Sequence, residues 1–508
     1  MTLDEIARRN GLRYPDKQAL VTREREVTWR ELDRRVDRIA NALRSRGLVP
    51  GDLVAVLLMN CVELVEIYFG IARAGLIAVP LNYRLTAAEL SQVLGSARPA
   101  LLVVGSSFAR KVLEMDPLPD RWVCGEGALH DGEAFEAVLE QASAEPIDSP
   151  VGENEPFAIF FTSGTTGLPK GAMVSHRNLE ANAFNQFVAD ESRYDDVNLV
   201  STPLYYMGAV FMSVTYMMLG CTQVIMETFD PERWLEAVGR HTVSVALLVP
   251  TMMNTLLNAP RLEATDLSSL RRVFYGGGPM PSAVLRRALE RFRCGFTQGY
   301  GLTETLEATF LVASDHVLDG SALQEKRLSS AGREAVGARV RIVDQEARDV
   351  ASGVVGEVLV RSSSVISGYW HDPSSTAAAF VDGWFRTGDV GYLDGDRYLF
   401  IVDRIKDMVV SGGTNIYTKE VESVLYQHPA VLEAAVIGLP DEAWGEIVAA
   451  VVVRRPGAQV TAEELVAHCK ESVASYKKPR VVHFVDELPK NPSGKVLKRE
   501  LRKVLAAA

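Results

Sequence analysis

The chain has 508 residues, 47% hydrophobic and 23% charged, with 54 Lys+Arg against 65 Asp+Glu and a formal net charge of −11. This is a globular balance; it excludes a disordered chain, a coiled coil and a collagen-like rod, and its length suggests about three to five domain-sized units. The acidic surplus argues against a general nucleic-acid or anionic-membrane binder, yet leaves room for a local basic pocket that takes a phosphate ligand.

The first residues, MTLDEIARRNG, contain no apolar core of a secretory signal. The spacing then predicts a helix over 29–46 and apolar strands at 53–59, 101–104, 157–161, 244–249 and 272–275, with a further helix over 281–293. Short Val/Ile/Leu-rich runs alternating with helical stretches predict an α/β fold with largely parallel, buried strands. In such sheets ligands gather beyond the carboxyl ends of the strands. The most apolar stretch, around Met212, is broken by Ser213, Thr215 and Tyr216 and is too short to span a bilayer, so a cytoplasmic protein with no integral membrane segment is expected. After about Gly332 the texture changes: 339–343 and 356–361 read as antiparallel strands. A charged cluster, Asp403-Arg404-Ile405-Lys406-Asp407, follows the strand-like run 398–402. It marks a boundary between residues 1–402 and a small α+β domain, 403–508, with strands at 433–438 and 447–453 and a helix over 461–475. The five cysteines (Cys61, Cys124, Cys221, Cys294, Cys469) are scattered and form no CxxC pair, so they predict neither a zinc site nor a disulfide framework.

The most biased segment is Thr162-Ser163-Gly164-Thr165-Thr166-Gly167-Leu168-Pro169-Lys170-Gly171, directly behind a strand. Glycines expose backbone N–H groups, and four hydroxyls and a lysine add donors, a set suited to a polyphosphate. Its spacing is not that of a Walker A loop. A second segment, Gln298-Gly299-Tyr300-Gly301-Leu302-Thr303-Glu304, sets an aromatic ring between glycines and a hydroxyl beside a carboxylate. Tyr300 could stack on a base, Thr303 could donate to a phosphate and Glu304 could hold Mg²⁺; read alone, the segment is a loop with a helix N-cap at Thr303. Gly276-Gly277-Gly278 ends another apolar run and lets a flat ring approach the backbone. Asp389, in Thr387-Gly388-Asp389, and Arg404 are polar candidates that would otherwise read as a surface ion pair. Ser411-Gly412-Gly413-Thr414 reads by itself as an ordinary turn, and the stretch Lys490-Asn491-Pro492-Ser493-Gly494-Lys495 as a solvated basic tail.

Together, and in this order, these segments resemble the adenylate-forming superfamily of acyl-CoA synthetases, aryl-CoA ligases, luciferases and peptide-synthetase adenylation domains, over residues 14–501. The resemblance implies a large N-terminal domain of mixed, largely parallel sheets plus a β-barrel-like part, and a small mobile α+β C-terminal domain. It implies ATP bound by Thr162, Ser163, Gly164, Thr165, Thr166, Gly167, Lys170, Gly276, Gly277, Gly278, Gln298, Gly299, Tyr300, Gly301 and Thr303. Asp389 and Arg404 would hold the ribose. Glu304 would hold Mg²⁺, Lys495 would act on the acyl carboxylate and α-phosphate (Lys490 being the weaker candidate), and Lys406 would be the hinge. Coenzyme A would meet Arg84, Gly412, Gly413, Trp444, Tyr476 and Lys478, with Lys477 and Arg480 nearby; the basic stretch 475–480 reads equally well as a solvated helix end. The acid pocket would include Tyr206, Met207, Gly208, Gly277, Gly301 and 306–309; many relatives carry His where this chain has Tyr206.

The expected activity is ATP-dependent ligation of a carboxylic acid to CoA through an acyl-adenylate. An aryl or phenylpropenoid acid and a medium-to-long-chain fatty acid both remain open; a dicarboxylate is disfavoured because the pocket offers no obvious cation. An adenylase that loads a carrier protein, or a non-catalytic nucleotide sensor, are the alternatives. No nucleic-acid partner is expected, and a homodimer is left open.

Overall fold

The computed structural model describes residues 1–125, 132–162, 169–490 and 496–506. The chain divides into two compact units, one of Met1–Val340 with Val360–Phe385 and one of Arg341–Leu359 with Arg386–Ala508. It passes between them within the strands Ala338–Val343, Gly356–Ser362 and Trp384–Leu393.

The first unit is built on two α/β sheets of seven and nine strands. Their centres are short apolar runs, Leu53–Leu57, Leu101–Gly105 and Val245–Leu248 among them, buried on both faces and paired in parallel. Continuous Val/Leu runs are what such doubly covered strands require. Helices fill the layers between. Trp29–Ser45 is an example of why they start where they do: Thr28 Oγ accepts the N–H of Glu31, and the Glu31 carboxylate accepts the N–H of Thr28. This reciprocal cap satisfies two of the donors that a helix start leaves open, and losing such a cap costs about 1 kcal/mol. Trp29, Leu32 and Ile39 on its apolar face are fully buried in a core that also takes in Phe157 of the seven-stranded sheet and Phe274 of the nine-stranded sheet.

Each sheet turns antiparallel at the edge that carries a motif segment, and the nine-stranded sheet does so at its other edge too. The seven-stranded sheet ends in the antiparallel hairpin of β1 (Pro156–Thr162) and β2 (Lys170–Ser175), followed by α1 (His176–Asp190). After α2 (Met207–Met218) and β3 (Arg272–Tyr275), the nine-stranded sheet turns back through β4 (Gly295–Leu302) and β5 (Leu306–Leu311). A five-stranded sheet over Ala338–Val343, Gly356–Ser362, Phe380–Val381, β6 (Trp384–Leu393) and β7 (Leu399–Arg404) forms the half-barrel part.

The second unit continues with β8 (Val409–Ser411), β9 (Thr414–Ile416) and α3 (Thr418–Gln427). These join a five-stranded sheet whose long pair, Val431–Asp441 and Gly445–Arg454, supplies an apolar core of Val436, Val448, Ala450 and Val452. No described helix is long and apolar enough to cross a membrane.

Candidate active site

Two hairpin ends in the first unit present the two most biased segments. On β1 and β2, Thr162 stands opposite Lys170, and its hydroxyl donates to the Lys170 carbonyl at 3.4 Å. The loop members Ser163, Gly164, Thr165, Thr166 and Gly167 lie outside the described residues. On β4 and β5, Leu302 stands opposite Leu306. The Leu302 N–H donates to Thr305 Oγ1 at 2.9 Å, and the Thr305 N–H returns to the Leu302 carbonyl at 3.2 Å. These reciprocal bonds fix a tight turn that carries Thr303 and Glu304 at its tip. No helix starts at Thr303; the antiparallel return of β5 takes up the backbone groups that a helix would have used.

Two described hydrogen bonds anchor Glu304. Its carbonyl accepts the Ile366 N–H at 2.9 Å, and its Oε1 accepts the phenol of Tyr369 at 3.1 Å. Tyr369 is itself tied to the other hairpin: its backbone bridges Ala172 of β2, the Trp370 N–H donates to the Gly171 carbonyl at 2.8 Å, and Lys170 Nζ stands 5.5 Å from the centre of its ring. Burial, reinforced by the Glu304 charge, pushes the Tyr369 phenol above its ordinary range, so it stays a proton donor. The sequence did not single this tyrosine out. It lies in Ser367-Gly368-Tyr369-Trp370, a glycine–aromatic pair of a kind too common to mark a site.

The glycine run Gly276–Gly278 follows β3 and lies beside β4, with Tyr275 opposite Gln298. A Cβ on Gly276 would come 2.8 Å from the Gly299 carbonyl, so only glycine allows this approach. Behind the run, His316 Nδ1 meets the Val312 carbonyl at 2.9 Å and Nε2 meets the Tyr275 phenol at 2.9 Å. Burial pushes the His316 imidazole down to about 4. The neutral ring therefore donates through Nδ1 and accepts the phenol proton at Nε2. Gln298 Oε1 stands 3.4 Å from the same phenol.

Among the acid-pocket candidates, Tyr206 caps α2, with Met207 buried and Gly208 half-buried in the first turn. The rings of Tyr205 and Tyr206 lie 4.4 Å apart, and Tyr83 meets Tyr205 edge-on at 4.8 Å. Burial pushes the Tyr83 phenol up, and neighbouring Arg84 offsets part of that rise. One tyrosine cluster thus joins the acid candidate Tyr206 to the coenzyme candidate Arg84.

In the second unit, Asp389 on β6 is paired in register with Arg404 on β7, and Arg404 Nε lies 2.9 Å from Asp389 Oδ1. At 3% exposure Asp389 is not half of a surface pair. Its N–H donates to Thr387 Oγ1 at 3.0 Å, and that hydroxyl donates to the Val358 carbonyl at 2.7 Å. Lys406 is exposed, just beyond the Ile405 N–H that donates to the Gly388 carbonyl at 2.9 Å. Gly412 and Gly413 form the two-residue turn between β8 and β9, with φ of +57° and +77°. A primed turn of this kind needs positive φ at both positions, which is why glycines stand there. The Gly412 N–H donates to the Trp444 carbonyl at 2.8 Å, and the Arg480 guanidinium lies 4.3 Å from the Trp444 ring centre. Tyr476 is exposed and Lys478 half-buried. Lys477 is held by Glu420 at 2.7 Å, and Lys490 is paired with Glu433. Lys495 lies outside the described residues.

No described cluster of three or more His, Cys, Asp or Glu could hold a metal ion. One carboxylate at a turn tip fits Mg²⁺ nonetheless, because that ion keeps several waters and is shared between one or two carboxylates and substrate phosphates. The cysteines supply no nucleophile: burial pushes Cys469 up to about 11 and Cys221 up to about 12, so both remain thiols.

Residues 7–370 match the model of the AMP-binding enzyme family, and residues 420–495 match that of the AMP-binding enzyme C-terminal domain. A feruloyl-CoA synthase from Amycolatopsis sp is 39% identical over 94% of this chain and 94% of its own length. The fatty acid–acyl-carrier-protein ligase ScoC of Streptomyces coeruleorubidus is 38% identical over 96% of this chain and 93% of its own length. Among solved structures, ATP-bound MatB from Rhodopseudomonas palustris superposes with a TM-score of 0.88 at 31% identity, covering 100% of this chain and 99% of that one.

Proposed function

This chain belongs to the AMP-binding enzyme family, and on that premise we propose that it is an ATP-dependent carboxylic acid–CoA ligase working in the cytoplasm. The observation that carries the reading is the Lys170–Tyr369–Glu304 linkage, which ties the two motif-bearing hairpins of the first unit together. A carboxylate is a poor electrophile because its charge repels nucleophiles. In the first step an oxygen of the acid attacks the ATP α-phosphorus, the bond to the bridging oxygen breaks, and pyrophosphate leaves with that electron pair. Glu304 would hold Mg²⁺, which would supply charge neutralisation on the phosphates. The loop around Thr166 donates hydrogen bonds to those phosphates, Asp389 and Arg404 hold the ribose, and Lys495 offsets the charge that builds between carboxylate and α-phosphate. In the second step the sulfur of the thiol attacks the adenylate carbonyl, its proton passes to solvent, and AMP leaves with the bridging oxygen. Movement of residues 403–508 about Lys406 lets one site serve both reactions. The acid is aryl or phenylpropenoid, or a medium-to-long-chain fatty acid.

A second reading, loading of an acyl-carrier protein, is favoured by the likeness to ScoC. The Gly412–Trp444–Arg480 group speaks for CoA, whose adenosine end offers a ring and a phosphate for an aromatic and a guanidinium. Incubation with ATP, Mg²⁺, a panel of acids, and either CoA or a pantetheinylated carrier protein tests this. AMP release with acyl-CoA formation is expected. Acid-dependent pyrophosphate exchange with acyl transfer only to the carrier protein establishes the second reading, and no exchange with any acid removes both.

A further inference from the structure

Within the stretch 306–309, which the family resemblance puts at the acid pocket, stands a buried carboxyl group that no described side chain pairs with. Glu307 on β5 is 8% exposed, and its Oε2 has no protein hydrogen-bond partner among the described residues. No described ion pair reaches it. Its backbone is well held: the Glu307 N–H donates to Asn182 Oδ1 on α1 at 2.9 Å. The carboxylate that acts on it electrostatically is Asp190, also on α1, whose own Oδ2 already accepts from Gln186 at 2.9 Å and from the Tyr216 phenol at 3.2 Å. Buried polar groups are normally satisfied, and one left open in a well-packed layer points to a partner that arrives from outside the chain.

The position of this carboxyl says which partner. Glu307 stands opposite Gly301, and its Oε2 lies 2.5 Å from where a Cβ on Gly299 would sit; Phe274 Cζ lies 2.4 Å from the same point. Phe274 meets Phe211 of α2 edge-on at 6.0 Å and Phe310 of β5 at 6.3 Å. The carboxyl therefore stands beside Phe274, whose ring packs on Phe211 of α2, the helix whose N-terminal end carries Tyr206, Met207 and Gly208. Burial, with Asp190 adding to it, pushes the Glu307 carboxyl up to about 8. At neutral pH it is mostly uncharged and can both donate and accept a hydrogen bond.

We propose that Glu307 is a specificity-determining residue of the acid pocket, and that the acid is an aromatic one bearing a hydroxyl or amino group on its ring, which hydrogen-bonds to this carboxyl. Phe274 beside the carboxyl offers an aromatic face to the ring, and the carboxyl rewards a polar substituent on it. A plain alkyl chain would leave the carboxyl buried and unpaired. This inference rests on the ligase reading and narrows its substrate.

The test uses the full chain with ATP, Mg²⁺ and CoA, reading AMP release as kcat/KM for 4-hydroxycinnamate, cinnamate and decanoate in wild type, Glu307→Gln and Glu307→Leu. Loss of one hydrogen bond to a buried group is expected to make wild type about ten- to hundredfold faster with 4-hydroxycinnamate than with cinnamate. Glu307→Gln, which keeps shape and hydrogen bonding, should retain part of this ratio; Glu307→Leu should abolish or invert it. A merely structural role would lower stability and all three rates together and leave the ratio unmoved. The inference is overturned if the wild-type ratio is near unity, if decanoate is preferred to both aromatic acids, or if Glu307→Leu keeps the wild-type ratio. Should Glu307→Leu fail to fold, the same judgement falls on Glu307→Gln, whose ratio must then drop below that of wild type. Absence of AMP release across a broad acid panel sinks the ligase reading itself, whereas release without discrimination sinks only the role of Glu307.

Discussion

Tyr369 donates a 3.1 Å hydrogen bond to Oε1 of Glu304, and by its backbone it is bonded to the strand that leaves the Thr162–Lys170 loop. The side chain that would hold the metal is thus oriented by a residue fixed to the neighbouring hairpin. Removing the hydroxyl takes away one of the bonds that orient the carboxylate without deleting the carboxylate. Hydrogen bonds to charged groups contribute about 1.5–3 kcal/mol. Tyr369→Phe should therefore lower kcat/KM for acid-dependent pyrophosphate exchange by about ten- to hundredfold and raise the Mg²⁺ concentration needed for half-maximal rate. Exchange measured across a Mg²⁺ titration checks this; an unchanged rate and an unchanged Mg²⁺ requirement would show that Tyr369 only packs.

Lys495 is proposed to meet the charge that appears as the carboxylate attacks phosphorus. That charge is absent from the second step, where the carbonyl of a mixed acyl–phosphate anhydride is attacked. Lys495→Ala should depress adenylate formation by about 10²–10³-fold or more, the range seen when a donor to a developing charge is removed. Thioester formation from chemically supplied acyl-AMP should be nearly unaffected. Single-turnover assays of each half-reaction separate the two, and equal losses in both would refute the role.

Much of this architecture was readable because it follows from burial. The runs at 101–104, 157–161 and 272–275 are strands because β-branched and large apolar side chains bury on both faces of a covered sheet, and the structure places Leu101–Gly105, Pro156–Thr162 and Arg272–Tyr275 there. The helices expected over 29–46 and 281–293 appear as Trp29–Ser45 and Ser282–Phe292. Parts of the site were legible for a different reason: glycines and hydroxyls clustered behind a strand have no packing purpose. The burial of Asp389 could not be read, since an Asp–Arg register pair looks alike in a sheet interior and on a surface. Neither could Tyr369, whose contact is with Glu304, 65 residues away; Glu307 entered only within the stretch 306–309 that the resemblance puts at the acid pocket, with nothing in the sequence to show that its carboxyl is buried and unpaired.

At the proposed hinge, Asp407 and Met408 donate N–H groups to the Arg404 carbonyl at 3.0 and 3.1 Å, closing a turn around Lys406. Just before it, buried Asp403 accepts the Thr418 hydroxyl at 2.8 Å and also its N–H, fastening β7 to the start of α3. Rotation that carries α3 away from β7 must break those bonds and change φ and ψ near Lys406. Proline at that position fixes φ near −65° and restricts the residue before it. Lys406→Pro should therefore slow thiol-dependent acyl-CoA formation by at least about tenfold while changing pyrophosphate exchange by less than about threefold, as expected when one conformer is blocked. An unaffected overall rate would remove the hinge assignment.

His316 offers a test by pH. Burial pushes it down to about 4, whereas an unfolded histidine titrates near 6.5. Between those values the unfolded chain binds more protons than the native one. The contribution of His316 to stability is thus complete above about pH 6.5 and is lost as pH falls toward 4, with a slope of at most about 1.4 kcal/mol per pH unit. His176, also buried and pushed down to about 4, acts with the same sign, so wild type alone does not isolate either residue. His316→Gln retains hydrogen-bonding capacity beside Tyr275 and removes the titration. In urea denaturation at a series of pH values from 7 to 5, stability should fall less steeply for His316→Gln than for wild type. At pH 7 the same variant should slow pyrophosphate exchange only to the extent that Tyr275, and with it Gln298 and the Gly276 turn, loses its support. Parallel pH curves for the two proteins would mean that His316 titrates alike in the folded and unfolded chains, so that burial does not hold it neutral.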